Sequence, residues 1–360
     1  MKKLMFVFLC ICAAVITFNG CAAAEPGEIE NNAVLTLMTW NIHNLFDGKD
    51  DGYEYAEFQQ SSGWSNEKYL GRLNTISDAV NKVDILPDII MLQEIESVKI
   101  LEDIAQCLNR DYRWSHFANN PESAVGLGIL SRIPLTDIKS HSITIENDTT
   151  PRPVLETRIQ TEYGDFITFT CHWKSKIGGD DVTESTRRAS VRVILRRIHE
   201  IWGREPQTGV IIAGDLNENF NEFYIQGADS ICALLPDDPY CAILAYENDE
   251  AQKDFIVVSG DMPPESVHFP RETIVLFSPW VNELENGSYY YKHNWETIDH
   301  FLVSYQFFDN RGWEYDNTTV VNHEPFTNQN GIPVSYNQKT GSGLSDHLPL
   351  LLKLKLGNGN

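Results

Sequence analysis

Apolar residues along this chain come in short consecutive runs separated by polar clusters, and the runs recur between residues 34 and 356. They read VLTLMTWNI, DIIMLQEI, VGLGILSR, VLETRIQ, DFITFTCHW, GVIIAGDLN, DFIVVS, TIDHFLVS and HLPLLLKLKL. Consecutive apolar residues in such short runs are the pattern of strands buried on both faces. Between them, Leu70, Leu73, Ile76, Val80 and Val83 repeat at spacings of three and four, as do Val191, Ile194, Ile198 and Ile201. Each stripe predicts a helix that lays one face on a sheet. The class is therefore α/β, either two packed sheets with helices outside or one doubly wound sheet, and periodicity does not separate the two. No repeat of fixed period, low-complexity tract or linker interrupts residues 33–356, so one domain is expected there.

The first 20 residues follow another pattern: Lys2 and Lys3, then an apolar stretch from Leu4 to Phe18, then a small residue and Cys21. That is an export signal, and Gly20-Cys21 resembles the lipobox of bacterial lipoproteins, with Cys21 as the lipidated residue. Residues 21–32 then form a linker. No other stretch approaches the roughly 18 apolar residues of a membrane span, so an extracytoplasmic location is expected, with membrane contact through the lipid anchor only, or simple secretion. Outside the cytoplasm disulfides are permitted, and Cys232 and Cys241, flanking ALLPDDPY, are the expected pair; Cys171 reads as a buried strand thiol. No cysteine spacing suggests zinc.

Composition adds a limit. The 360 residues are 42% apolar, enough for a substantial core, and the net charge of −23 falls to −25 when Lys2 and Lys3 leave with the signal. Such a balance opposes tight nonspecific attachment to polyanions. A local site with a divalent metal and a few Arg or Lys still acts on a polyanionic substrate.

Candidate chemistry stands at the ends of the apolar runs. Asn41 follows LTLMTW, Glu94 follows DIIMLQ, His172 follows FITFTC, and Asp215 and Asn217 follow GVIIAG; Asp299 opens DHFLVS, and Asp346-His347 precedes the last run. Strand ends are rigid yet open, which suits active-site groups. Carboxylates and amide oxygens without cysteine are hard ligands, fit for magnesium, calcium or manganese. A carboxylate beside an imidazole, as Asp299 and His347 would be if adjacent, keeps one ring nitrogen protonated and leaves the other for proton transfer.

These segments, in this order, resemble the endonuclease/exonuclease/phosphatase superfamily, which includes pancreatic-type deoxyribonucleases, exonuclease III-like repair enzymes, inositol polyphosphate phosphatases and bacterial sphingomyelinases. The resemblance spans residues 35–355 and implies a four-layer α-β-β-α sandwich of two packed mixed sheets flanked by helices. TWNIHNLFD and LQEIE imply that Asn41 and Glu94, with Asp346, hold Mg²⁺, Mn²⁺ or Ca²⁺. CHWKSK implies that His172 contacts the scissile phosphate. GDLNE supplies Asp215 and Asn217, TIDHFLVS supplies Asp299, and SDHLPL supplies the closing Asp346-His347 pair. His300 stands where many members have Tyr or Arg, and is expected to be a structural neighbour. Arg152 resembles a phosphate-contacting Arg of some relatives.

The implied reaction is in-line attack of water on a phosphodiester. HWKSKIGG resembles secreted bacterial nucleases, so Lys174 and Lys176, with Arg187 and Arg188, are expected to line a cationic strip for nucleic acid. A lipid or inositol-phosphate phosphoesterase is the alternative, in which Trp280, Tyr289, Tyr290, Tyr291 and Trp295 would rest at a membrane interface; they would equally stack bases or pack a strand. A non-catalytic surface lipoprotein is the alternative of another class. A monomer is expected, and no protein partner is implied.

Overall fold

The computed structural model describes residues 34–357 apart from 122, 146–147, 151, 229–230, 248–253, 264–268 and 271. The expected signal, Cys21 and the linker lie outside the described residues. In chain order the strands are β1 (Val34–Leu45), β2 (Ile89–Ile95), β3 (Trp114–Ala118), β4 (Gly126–Ser131), β5 (Leu135–His141), the short pair β6 and β7 (Thr144–Ile145, Asp148–Thr149), β8 (Val154–Ile159), β9 (Phe166–His172) and β10 (Gly209–Asp215). They continue with β11 (Leu234–Pro236), β12 (Ile256–Ser259), β13 (Val275–Phe277), the ribbon β14 and β15 (Tyr289–Tyr291, Asn294–Glu296), β16 (Asp299–Val303), β17 (Trp313–Val320) and β18 (Leu350–Leu356). The helices are α1 (Asn66–Val80), α2 (Val98–Cys107), α3 (Asp180–Trp202), α4 (Glu222–Ile225), α5 (Pro239–Glu247) and α6 (Pro279–Asn282).

Two mixed sheets form. One has six strands in the order β17-β18-β1-β2-β4-β3, the other eight in the order β11-β12-β13-β16-β10-β9-β8-β5. Strand alternation sorts the side chains into layers. Leu35 and Leu37 of β1 and Ile89 and Met91 of β2 meet Ile211 and Ala213 of β10 and Phe301 and Val303 of β16 between the sheets. Met38, Ile90 and Leu92 face the other way, against Leu73, Ile76 and Val80 of α1 and Ile100, Leu101 and Ile104 of α2. On the far side Phe169, Val210 and Ile212 pack against Val191, Ile194 and Ile198 of α3. At about 1.5–3 kcal/mol per buried side chain, each outer layer is a strong anchor for its helices. The four-layer sandwich is thus borne out.

Two expectations are corrected. The α1 stripe runs through Tyr69, Leu73, Ile76 and Val80, whereas Leu70 is 43% exposed and Val83 lies past the helix end. Cys232 and Cys241 are thiols, not a cross-link. Both are buried in one apolar cluster with Phe223, Leu235 and Val257. The segment between them is fixed without a bond: Asp238 Oδ1 accepts the Tyr240 and Cys241 amides at 2.8 and 2.9 Å, capping α5. Burial pushes the Cys241 thiol up to about 12, so it stays protonated. Cys171 is fully buried, as the sequence predicts. Among the described residues no helix is long and apolar enough to cross a membrane.

Candidate active site

The inward rows of both sheets end in polar residues. Asn41 continues the row of Leu35 and Leu37, Asp215 that of Ile211 and Ala213, and Asp299 begins that of Phe301 and Val303. His172 has the opposite parity to Phe169 and Cys171, which face α3, so it too points inward. Register sets three of them abreast: Asp215 pairs with Asp299 on one side and with His172 on the other. Glu94 breaks the alternation, since two residues earlier Leu92 faces the helices. A bulge between Gln93 and Ile95, with Glu94 at φ 64°, turns its carboxylate inward. The left-handed conformation is costly for Glu, and the surrounding sheet imposes it.

Contacts close the group. Asn41 Nδ2 donates to Glu94 Oε1 at 3.1 Å and to Asp215 Oδ2 at 3.0 Å, while Asn41 Oδ1 accepts the His43 amide at 3.0 Å. His172 Nε2 lies 3.4 Å from Asp215 Oδ2 and 3.6 Å from Glu94 Oε1. Asp215 Oδ1 accepts the Asn217 amide at 2.9 Å, and Asn217 Nδ2 donates to the Trp173 carbonyl at 3.2 Å. Asp299 Oδ2 lies 2.8 Å from His347 Nδ1 and accepts Ser288 Oγ at 2.6 Å. The other ring nitrogen, His347 Nε2, is 3.9 Å from Asp215 Oδ2. Ser345 Oγ donates to the Asn41 carbonyl at 2.7 Å and accepts the His347 amide at 3.0 Å, which locks the closing triplet onto β1. Asp346 is partly exposed, its Oδ1 3.4 Å from His43 Nδ1.

Burial gives these groups distinct proton affinities. It is the largest influence on Asp215, and with Asp299 nearby it raises the carboxyl to about 7 against the pull of His347 and Asn41. His172, buried and close to Arg152, His347 and Lys174, is held well below the ordinary imidazole value and is neutral. Burial acts against a charged His347 as well, but Asp299, Asp215 and Asp346 outweigh it and hold the ring well above the ordinary value. His300 points to the opposite face from Asp299 and bonds the Glu218 carbonyl at 2.8 Å. It is a structural neighbour, as expected.

The cationic strip is not there. Lys176 Nζ is held by Glu222 Oε2 at 2.6 Å and Glu296 Oε2 at 3.7 Å. Arg187 is fully buried between Glu184 and Glu218, and Arg188 is paired with Asp254. These pairings neutralise the cations that sequence proximity assigns to a phosphate backbone. Arg152 and Lys174 remain: Arg152 donates to the Trp173 carbonyl beside the site, and its charge, with burial, bears on Lys174 and His172.

Several supporting residues escape the sequence reading, and two others, Trp280 and Tyr289, are expected there at a membrane interface, on bases or in a strand and not beside Asp299 and His347. Trp40 Nε1 donates to the His347 carbonyl at 3.0 Å, and Trp280 Nε1 donates to the Asp299 carbonyl at 2.8 Å. Arg72, buried in α1, donates to the carbonyls of Ile42 and Asn44 at 2.8 and 2.6 Å and so fixes the left-handed pair His43-Asn44. Ser288, Ser345 and Tyr289 also belong here. Trp40 and Ser345 lie inside quoted motifs; nothing in the sequence marks Arg72 or Ser288.

The donors fit a divalent cation. Carboxylate oxygens of Glu94 and Asp215 converge on one amide nitrogen, and among the described residues neither is paired with Lys or Arg. Asp299 Oδ1 is buried without a hydrogen-bond partner. The carboxylates of Glu94, Asp215 and Asp299 share one charged imidazole, His347, and an oxygen-only set left with surplus negative charge suits Mg²⁺, Mn²⁺ or Ca²⁺. Asp215 joins Asn41 and Glu94 in direct contact, whereas Asp346 lies 3.4 Å from His43 and acts on His347 through its charge. Asn41 turns its nitrogen to both carboxylates, and so fixes their separation.

The sequence pattern of the endonuclease/exonuclease/phosphatase family matches residues 36–233. The chain belongs to this family. Family membership makes it a metal-dependent hydrolase of phosphate esters, in accord with the oxygen-donor set just described. Solved structures share the fold at low identity. TDP2 from Caenorhabditis elegans superposes with a TM-score of 0.51 at 13% identity, covering 89% of this chain and 74% of that one. An endonuclease/exonuclease/phosphatase family protein from Bacteroides thetaiotaomicron gives 0.51 at 13% identity, covering 90% and 96%. The mannosyl-6-phosphatase Bt3783 of the same species gives 0.50 at 14% identity, covering 89% and 99%. A comparison with curated proteins finds no match.

Proposed function

We propose that the chain is an extracytoplasmic, Mg²⁺-dependent phosphodiesterase that cuts nucleic acid by in-line attack of water on phosphorus. The observation that carries this is the row His172, Asp215 and Asp299 across one sheet, faced by Asn41 and Glu94 of the other and closed by His347. Glu94 would hold the metal, with Asn41 fixing its distance from Asp215. When bound, the metal neutralises charge on a phosphoryl oxygen and on the departing oxygen.

Proton transfer falls to the chain. Asp215, oriented by the Asn217 amide and raised to about 7, is matched to taking a proton from water near neutral pH. His347, charged and aligned by Asp299, offers Nε2–H to a phosphoryl oxygen and keeps its Nδ1 proton on Asp299. Neutral His172 contributes a second donor without adding charge. Arg152 and Lys174 draw the phosphate toward this cluster.

The resemblance of HWKSKIGG to secreted nucleases supports nucleic acid as substrate. The pairing of Lys176, Arg187 and Arg188 favours a second reading, a small phosphate ester such as a sugar phosphate. The full chain is to be assayed on plasmid DNA, RNA, sphingomyelin, an inositol phosphate and mannose 6-phosphate, with and without EDTA. Cleavage of DNA or RNA that EDTA abolishes is expected; turnover of sugar phosphate alone selects the second reading. Glu94→Ala and His347→Ala should each lose about three to five orders of magnitude in turnover while keeping the wild-type circular dichroism. Mg²⁺ at about 100 times its Kd should stabilise the wild type by about 2.7 kcal/mol and leave Glu94→Ala unmoved. Export and anchoring rest on the first 21 residues: lipid label should enter the cell-expressed protein and be absent from Cys21→Ser.

A further inference from the structure

β1 does not run straight to its end. Its register with β2 shifts between Asn41 and Leu45, and within that stretch His43 and Asn44 take φ 58° and 60°. Consecutive left-handed residues that carry side chains are strained, and such a pair persists only where its surroundings impose it. The pair stands just past Asn41, whose amide nitrogen bonds both Glu94 and Asp215.

Arg72 supplies the constraint. It lies on the buried stripe of α1 with Tyr69, Leu73 and Ile76, and is 1% exposed. Its guanidinium donates to three consecutive carbonyls, those of Ile42, His43 and Asn44, and the Tyr336 ring covers it at 4.0 Å. A planar fork with fixed donors holds several carbonyls at once, which a lysine ammonium does not match. Burial lowers Arg72 to about 10, while Tyr336, Glu94 and Asp346 favour its charge, so it stays a cation at neutral pH.

The consequence reaches Asn41. From this bulge the His43 amide donates back to Asn41 Oδ1 at 3.0 Å. An amide side chain has one accepting and one donating end of nearly the same shape, so the bond to its oxygen decides which end faces the carboxylates. Arg72, the carbonyls it holds, the His43 amide and the Asn41 side chain form one connected set that ends on Glu94 and Asp215. We propose that Arg72 is a positioning residue, holding the bulge after Asn41 so that the Asn41 amide keeps its nitrogen on Glu94 and Asp215. This rests on the placement of Asn41 and Glu94 in the active site.

The Asn41 side chain itself provides the test. Exchange of its amide protons with water is followed by NMR on the full nitrogen-labelled chain without metal, the signals being identified by their loss in Asn41→Asp. Slow exchange is expected in the wild type, and Arg72→Lys should speed it by about tenfold or more while the circular dichroism spectrum is kept. Tyr336→Leu frees one face of the guanidinium, should speed exchange by about twofold or more, and serves where Arg72→Lys does not fold. Activity gives a second readout. Turnover of bis(4-nitrophenyl) phosphate with Mg²⁺ should fall about a hundredfold in kcat for Arg72→Lys, with KM within about threefold, because Arg72 is buried away from substrate. In a His43→Gly background, where glycine takes the left-handed conformation unaided, the same change should cost about tenfold or less. Fast exchange of the Asn41 protons in the wild type, or wild-type exchange in either folded variant, overturns the inference. So does an undiminished loss of kcat in the His43→Gly background, since Arg72 would then act by another route. The exchange measurement decides the matter even if the diester is not a substrate.

Discussion

At the scale of single residues, three buried histidines show how position sets chemistry. His347 is charged because carboxylates surround it, and His172 is neutral because burial and nearby cations act together. His300 is neutral for a third reason. Its Nε2 donates to the Glu218 carbonyl, and its Nδ1 is buried without a partner, so a second proton would have no acceptor. Burial lowers it to about 4, below the ordinary imidazole value of about 6.5. Above about pH 6.5 the folded and unfolded chains are both neutral at this ring, and its contribution to stability is complete. As pH falls from there toward 4, the unfolded chain takes up a proton that the native ring refuses, and about 3 kcal/mol is lost. Urea unfolding between pH 7 and pH 4 should therefore show a loss that shrinks by about that amount in His300→Gln. Equal losses in the two proteins would assign the slope to other groups.

At the scale of elements, the chain's apolar runs mark the central strands and its strand ends mark the active groups, because each depends on local pattern alone. Edge strands do not. β5, β3 and β17, at sheet edges, mix polar and apolar residues, as in WEYDNTTV, and carry no run to find. Nor does the bulge that turns Glu94 inward show in LQEIE, and the partners of the supposed cationic strip are distant: Glu222 is 46 residues from Lys176, and Asp254 is 66 from Arg188. Arg187 is the clearest case. From α3 it donates to Glu184 Oε2 at 2.6 Å, to Glu218 Oε2 at 3.0 Å and to the Lys174 carbonyl at 3.3 Å, while Glu184 and Glu218 accept the Ala233 and Leu234 amides at 2.7 Å. One guanidinium thus joins the segments after β9 and β10, both of which carry site residues, to α3 and β11. Arg187→Met should cost about 3–5 kcal/mol, measured by denaturant unfolding, since it leaves buried carboxylates without their cation. A cost below about 1 kcal/mol would mean that Glu218, which burial and Glu184 push well above the usual carboxylate range, is already protonated.

At the scale of the whole molecule, charge and site work against each other. The chain carries −23, and among the described residues Arg152 and Lys174 are cations beside the site outside ion pairs, while Arg72 is held by backbone carbonyls of β1. An extended phosphate groove would neutralise about six to ten phosphates and lose about three to five orders of magnitude in affinity between about 50 and 200 mM salt. Two cations release far fewer counterions, so kcat/KM on a DNA duplex should fall by about tenfold or less across the same range. Added salt also screens the repulsion between an acidic protein and its substrate, which offsets part of that fall and makes the slope shallower still. Lys174→Ala should lower kcat/KM and flatten the remaining salt dependence, because it removes one of the two cations proposed to draw the phosphate. Steady-state rates on one oligonucleotide at four salt concentrations decide the matter. A thousandfold decline would require a cationic surface elsewhere on the molecule, and recognition would then lie in the backbone of a long polymer. A shallow slope places recognition within reach of the row His172, Asp215 and Asp299 itself, where a single phosphate would supply the contacts.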